Sequence, residues 1–282
     1  CRSENVALMI TINNECDQVK GDWTGWEEAL RSIIVLQNLH GSVIKAVGCG
    51  NELDLFYRNG QGDRSVGPTF AASLVKRAIP ILRPAGIKVA ATSVAGEHWQ
   101  EYLAEMTRLF GNDKPDYADF HGYGQGFHDI QQNPKFGLLH DAINRAHEIS
   151  GLPVICSEGG VKIGEVGGPA GQAAYVSRWV SLFQSLDPAS FPLACYFAWH
   201  DQIGSPGESG ESAFGLMAEN GRKRPAWTAF RDAMGGPVPA PHLEPEEETV
   251  PEVNGHYVGP GVAEIAERHG LRIQGREAYF GP

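Results

Sequence analysis

The sequence contains no apolar run approaching the roughly 20 residues that a membrane-spanning helix needs, and no charged-then-apolar leader opens it. No membrane span is expected. It also lacks any block of Lys and Arg: 23 basic against 34 acidic side chains give a formal charge of -11. That balance repels a phosphate backbone and argues against nucleic acid as a partner. Cysteine is sparse, with Cys1, Cys16, Cys49, Cys156 and Cys195 widely spaced and no CxxC pair to suggest a metal site or a disulfide framework. Cys49, Cys156 and Cys195 sit in apolar runs, as buried small thiols do, which leaves Cys1 and Cys16 as the plausible disulfide. There is no HExxH and no GxSxG, so neither a zinc peptidase nor the nucleophile elbow of an α/β-hydrolase is expected. His121, His128, His200 and Asp201 follow no metal-ligand spacing, and neither metal nor other cofactor is anticipated. An initiating Met is also missing, and the start at Cys1 reads as a processed or truncated product.

What is present is alternation. Short β-branched runs at Val6–Ile12, Val43–Val47, Ile87–Thr92, Tyr117–His121, Pro153–Cys156 and Leu193–Ala198 are separated by longer stretches with apolar residues at i, i+3 and i+4. The helical stretches are Trp26–Leu39, Thr69–Leu82, Glu97–Phe110, Gly137–Ile149, Gly171–Leu186 and Pro225–Met234. Strand-then-helix repetition implies parallel strands and an α/β fold, and 282 residues fit one large domain. Six units fall short of the eight in a (β/α)8 barrel, whereas a doubly wound open sheet accepts six. Between Gly167 and Gly171, GGPAG reads as a loop. After Met234 the texture changes: residues 235–252 are rich in Pro and Glu and read as a stiff linker. Residues 253–282 regain apolar side chains, with VAEIAERHG as a short helix, and form a tail or partial module.

Two acids stand out by position. Glu52 follows the apolar run VIKAVGCGN, and Glu158 follows PVICS three strands later, with Gly159 and Gly160 behind it. A lone glutamate past a strand is usually a solvated loop acid or a helix cap. Two of them, one preceded by Asn51, point to paired carboxylates at one end of a parallel sheet. On this reading Cys49 is packing and Asp54 a loop acid.

The pairing of Gly50-Asn51-Glu52 with Ser157-Glu158-Gly159 resembles the retaining glycoside hydrolases of clan A, the (β/α)8 superfamily of cellulases, xylanases and mannanases. HGYG at His121 to Gly124 is similar to the clan's sixth strand end. FAWHD at Phe197 to Asp201 is similar to its eighth, and FGLMAENGRKRPAWTAFRDAM at Phe214 to Met234 to its closing helix. The resemblance covers roughly residues 5 to 234. It implies a (β/α)8 TIM barrel over residues 1–234, lacking its first two βα units in this chain and with them the Arg that the second strand commonly brings near the nucleophile.

The resemblance further implies a retaining O-glycosidase that cleaves a β-linked oligo- or polysaccharide by double displacement. Glu52 would be the acid/base, Glu158 the nucleophile, and Asn51 a donor to the sugar 2-hydroxyl. His121 could orient a carboxylate or a sugar hydroxyl, or be a satisfied structural histidine. Tyr123 could hydrogen-bond Glu158 or pack a loop. Trp199 at a strand end could stack on a sugar or belong to the core, and Asn13 could line the cleft. Polymeric substrates imply an extracellular or secreted protein. The alternative is an inactive glycan-binding or scaffold protein on a degenerate barrel.

Overall fold

The computed structural model describes residues 8–13, 19–123, 137–201, 213–218 and 220–235, together with the backbone of four short strands between residues 252 and 279. The expected Cys1–Cys16 disulfide and the VAEIAERHG helix lie outside the described residues. So does His128.

Six short strands run in chain order: β1 (Leu8–Ile12), β2 (Ile44–Cys49), β3 (Lys88–Ala90), β4 (Ala118–Asp119), β5 (Val154–Gly159) and β6 (Leu193–Tyr196). The helices are α1 (Thr24–His40), a single turn α2 (Leu53–Tyr57), α3 (Pro68–Leu82), α4 (Trp99–Phe110), α5 (Gly137–Ser150), α6 (Pro169–Ser185) and α7 (Pro225–Ala233). Helix α6 starts at Pro169, whose fixed φ suits a first helical position. The GGPAG loop expected from composition is therefore already helical from its third residue.

Every pairing among these six strands is parallel. β1, β2 and β3 form one ladder and β4, β5 and β6 another, and the bridges Ala90↔Tyr117 and Val94↔Phe120 join β3 to β4. Each strand therefore lies beside its chain neighbour from β1 to β6. A doubly wound sheet reverses direction at a switch point, and this order has no reversal. Among the described residues no pairing joins β6 to β1, so the strands form an open arc of a barrel-type sheet.

The burial pattern explains the arc. β2 is buried at five of six positions, as expected of a parallel strand covered on both faces, and the helices lay apolar stripes over the sheet at 3.6-residue spacing. Leu74, Val75, Ala78 and Leu82 of α3 and Leu103, Met106 and Phe110 of α4 are fully buried. Turns are fixed by specific groups. Gly41 ends α1 with φ 70°, and the buried Gln37 amide then bonds both the N–H and the carbonyl of Ile44 at 2.8 and 2.9 Å, tying α1 to the start of β2.

The chain divides into two compact units, Cys1–Gly236 and Pro237–Pro282. Within the second, β7 (Glu252–Val253) pairs antiparallel with β8 (His256–Tyr257), and β9 (Arg272–Gln274) with β10 (Glu277–Tyr279). Glu252, assigned to the linker by composition, stands in β7.

Candidate active site

Parallel strands in neighbour order present all their C-terminal ends on one side, and the candidate residues follow those ends. Asn13 follows β1, Asn51 and Glu52 follow β2, His121 and Tyr123 follow β4, Ser157 and Glu158 close β5, and Trp199 follows β6. Glu52 sits where the chain turns sharply out of β2. Gly50 has φ 95°, a conformation available to glycine, and a Cβ there would press on Thr92 and Leu74 at 3.2 Å. Glu52 itself is left-handed at φ 49° and ψ 37°. The end of β3 braces that turn: the Glu52 N–H donates to Ser93 Oγ at 3.1 Å, and Thr92 Oγ1 donates to the Cys49 carbonyl at 2.5 Å. Ser93 Oγ also lies 3.4 Å from Asn51 Oδ1.

Asp54 is not the loop acid its sequence neighbourhood suggests. It is buried and accepts hydrogen bonds from the N–H groups of Ala95 and Gly96, the latter at 2.6 Å. These bonds bolt the loop carrying Glu52 to the loop after β3. Burial raises its pKa, against the pull of those two N–H groups.

Glu158 is held on the opposite side. Its carbonyl accepts the Gly122 N–H at 2.7 Å, and the Tyr123 hydroxyl donates to Glu158 Oε2 at 3.1 Å. A Cβ on Gly160 would lie 2.0 Å from the Phe197 carbonyl, so glycine there lets β5 and β6 close up just beyond the acid. Burial, reinforced by the Glu158 charge, pushes the Tyr123 phenol up and keeps it a donor.

His121 stands between the two acids. Its Nδ1 is 2.7 Å from Glu52 Oε1 and 3.7 Å from Glu158 Oε2. One oxygen of each glutamate and a His121 ring nitrogen all lie within 4.8 Å of one another. The His121 side chain is 0% exposed, whereas those of Glu52 and Glu158 are 23% and 29% exposed, so the acids face outward from a buried ring. Behind the ring, Nε2 is 3.0 Å from Ser157 Oγ, which in turn donates to Asp119 Oδ2 at 2.7 Å. Burial opposes a charge on His121, but the Glu52 hydrogen bond and the fields of Asp119, Glu158 and Glu52 outweigh it, and its pKa is raised. Burial pushes Asp119 up to about 6, against the opposing pull of His121 and Ser157. Asp119 did not stand out in the sequence, where it reads as one polar position in an alternating strand, and Ser157 entered only as the residue before Glu158, with no role of its own.

Among the described residues, Glu52, His121 and Glu158 are also the cluster whose donor atoms converge closely enough to hold a divalent cation. Asp201 is committed elsewhere, to a two-pronged ion pair with Arg224 and to the Gly215 N–H at 2.9 Å. Asn13 is exposed beyond β1. The Trp199 ring is half exposed and stands edge-on to Trp227 of α7 at 4.3 Å. Phe197 and Phe214 pack edge-on against Tyr123 at 5.8 and 5.4 Å, and sequence reasoning did not single them out as site residues.

No family model and no curated protein matches this chain. Solved structures do. A GH128 (subgroup VI) exo-β-1,3-glucanase from Aureobasidium namibiae superimposes with TM-score 0.51 at 18% identity, over 78% of this chain and 75% of that one. A GH128 (subgroup I) endo-β-1,3-glucanase from Amycolatopsis mediterranei in complex with laminaritriose gives 0.53 at 16%, over 80% and 82%. The catalytic core of xylanase A gives 0.54 at 16%, over 81% and 77%. The chain therefore has the fold of the clan A glycoside hydrolases. At these identities the likeness is one of fold.

Proposed function

We propose that the protein is a retaining O-glycoside hydrolase acting on β-linked oligo- or polysaccharides, with Glu158 as nucleophile and Glu52 as acid/base. One observation carries the reading: the two carboxylates, delivered by strand ends three apart, bring one oxygen each to within 4.8 Å of the other beside His121. Retaining enzymes hold their carboxyl groups about 5 to 5.5 Å apart so that one can attack the anomeric carbon, whereas inverting enzymes leave about 6.5 to 9.5 Å for a water. The fold shared with β-1,3-glucanases and a xylanase supports β-linked glycan as the substrate class.

In the first step Glu158 attacks the anomeric carbon while Glu52 protonates the departing oxygen, forming a glycosyl ester on Glu158. In the second, Glu52 takes a proton from water, which displaces the sugar from Glu158 with net retention. Tyr123 holds Glu158 Oε2 and aims its other oxygen. Asn51 donates to the sugar 2-hydroxyl, Trp199 stacks on a sugar ring away from the cleavage point, and Asn13 lines the cleft. A polymeric substrate of this kind places the protein outside the cell.

Azide separates the two roles. With an activated aryl β-glycoside, Glu158→Ala is expected to regain turnover with azide and give the α-glycosyl azide, because azide replaces the nucleophile. Glu52→Ala should give the β-glycosyl azide, because azide then attacks the intermediate. Wild-type inactivity across β-glucans, xylans and mannans, with glycan binding intact, would instead establish the inactive scaffold.

A further inference from the structure

A hydrogen-bond chain runs inward from the acid pair, and its polarity is set at the buried end. Asp119 is fully buried at the end of β4. Its Oδ1 accepts the Ser157 N–H at 3.1 Å and its Oδ2 accepts the Ser157 hydroxyl at 2.7 Å. Above about pH 6 Asp119 is ionised, and an ionised carboxylate only accepts, so the single hydroxyl hydrogen of Ser157 is committed to Asp119. Ser157 Oγ then presents a lone pair to His121 Nε2, 3.0 Å away, and Nε2 must carry a proton. Nδ1, 2.7 Å from Glu52 Oε1, has two states left. A neutral ring accepts from protonated Glu52, or a charged ring donates to ionised Glu52. Either state stores one proton on the pair, next to the leaving oxygen.

We infer that Asp119 and Ser157 are positioning residues that fix the tautomer of His121 and thereby keep a transferable proton on the Glu52–His121 pair. The inference rests on the retaining reading above. If the polarity of the chain is reversed, Ser157 donates to Nε2, the neutral ring carries its hydrogen on Nδ1, and Glu52 is left ionised with nothing to give. The groups facing His121 are Glu52 from the β2 end, Glu158 and Ser157 from β5, Asp119 from β4, and the edge of Tyr123. Cys156 and Cys195 lie in the field of Asp119. Since His121 is wholly buried, its inner nitrogen is set by Ser157 and not by solvent.

Asp119→Asn reverses the chain by necessity. The Ser157 backbone N–H is an obligatory donor, so the amide oxygen must turn to it and the amide NH2 must face Ser157 Oγ. The variant should lose at least about tenfold in kcat/KM on unactivated oligosaccharides, part of the roughly 10²- to 10⁴-fold that general acid catalysis supplies. On a 2,4-dinitrophenyl β-glucoside or β-xyloside, whose leaving group needs no proton, it should change less than about threefold. Equal losses on both substrates, or no loss on either, would overturn the inference. Nitrogen-15 NMR of the His121 ring in the full chain decides it even if the variant does not fold. The wild type should be protonated at Nε2, and a ring protonated at Nδ1 alone would refute it. Absence of all glycosidase activity would break the retaining reading, while the ring measurement would still judge the positioning pair.

Discussion

Asp201 and the Glu52–Glu158 pair all stand at C-terminal strand ends, and the two sites are built in opposite ways. Past β6, Asp201 meets Arg224 in a two-pronged pair, receives the Gly215 N–H, and sees Arg224 also donate to the Gly215 carbonyl at 2.8 Å. Its side chain and that of Arg224 are 9% and 12% exposed. At the ends of β2 and β5, Glu52 and Glu158 share one imidazole, Glu158 alone also receives the Tyr123 phenol, and both keep an open side. A charge answered from every direction inside the fold holds the fold together. A pair answered only from behind is free to meet a substrate.

Breaking each group should therefore damage different properties. Glu158→Ala should lower turnover of aryl β-glycosides by about 10³-fold or more, while shifting chemical denaturation by less than about 1 kcal/mol. Asp201→Ala strands the Arg224 guanidinium and should cost about 3 kcal/mol of stability, with kcat/KM per folded molecule little changed. The opposite pattern would erase the distinction. Asp54→Ala, which orphans two backbone donors under the Glu52 loop, should fall between, losing about 1 to 3 kcal/mol by denaturation and some activity as the loop loosens.

Acid dependence sharpens the same contrast. Asp119, raised to about 6, binds a proton in the folded state at pH values where the unfolded chain has released it. Its contribution therefore makes the protein less stable as pH rises from about 4 to about 6. Asp119→Asn should remove that slope, read as the difference between wild-type and variant denaturation curves across the window. His121, also raised, contributes stability that is complete below its ordinary value near 6.5 and fades as pH rises through its folded value. The smallest effect belongs to Trp199→Ala. With the ring half exposed and lying against Trp227, it should raise KM for oligosaccharides a few-fold and leave kcat on small aryl glycosides unchanged.

The strand and helix alternation was legible because each unit buries one continuous stripe: the β2 run and the α3 and α4 spacings reappear within a residue or two. Glu52 and Glu158 were legible for a related reason, since each follows such a run directly. β4 was expected over Tyr117–His121 and pairs regularly only at Ala118–Asp119, because Tyr117 and Phe120 make single bridges to the β3 side. Strand order was not readable from spacing alone, since six βα units fit both an arc and a doubly wound sheet; the resemblance implied barrel order, and the β3–β4 bridges show neighbour order through the described strands. Asp54 and Asp119 were missed because their partners, Gly96 and Ser157, lie 42 and 38 residues away. No local spacing reports a pairing of that length, and an acid amid apolar neighbours looks the same whether it faces water or a buried donor.

The central claim is that Glu52 and Glu158 perform a double displacement, and stereochemistry tests it without mutation. Proton NMR can follow the anomeric signals during the first minutes of hydrolysis of an aryl β-glycoside, before mutarotation mixes them. The expected result is the β-anomer as the first-formed product. An α-anomer appearing first would mean single displacement and would contradict the assignment of Glu158 as the nucleophile.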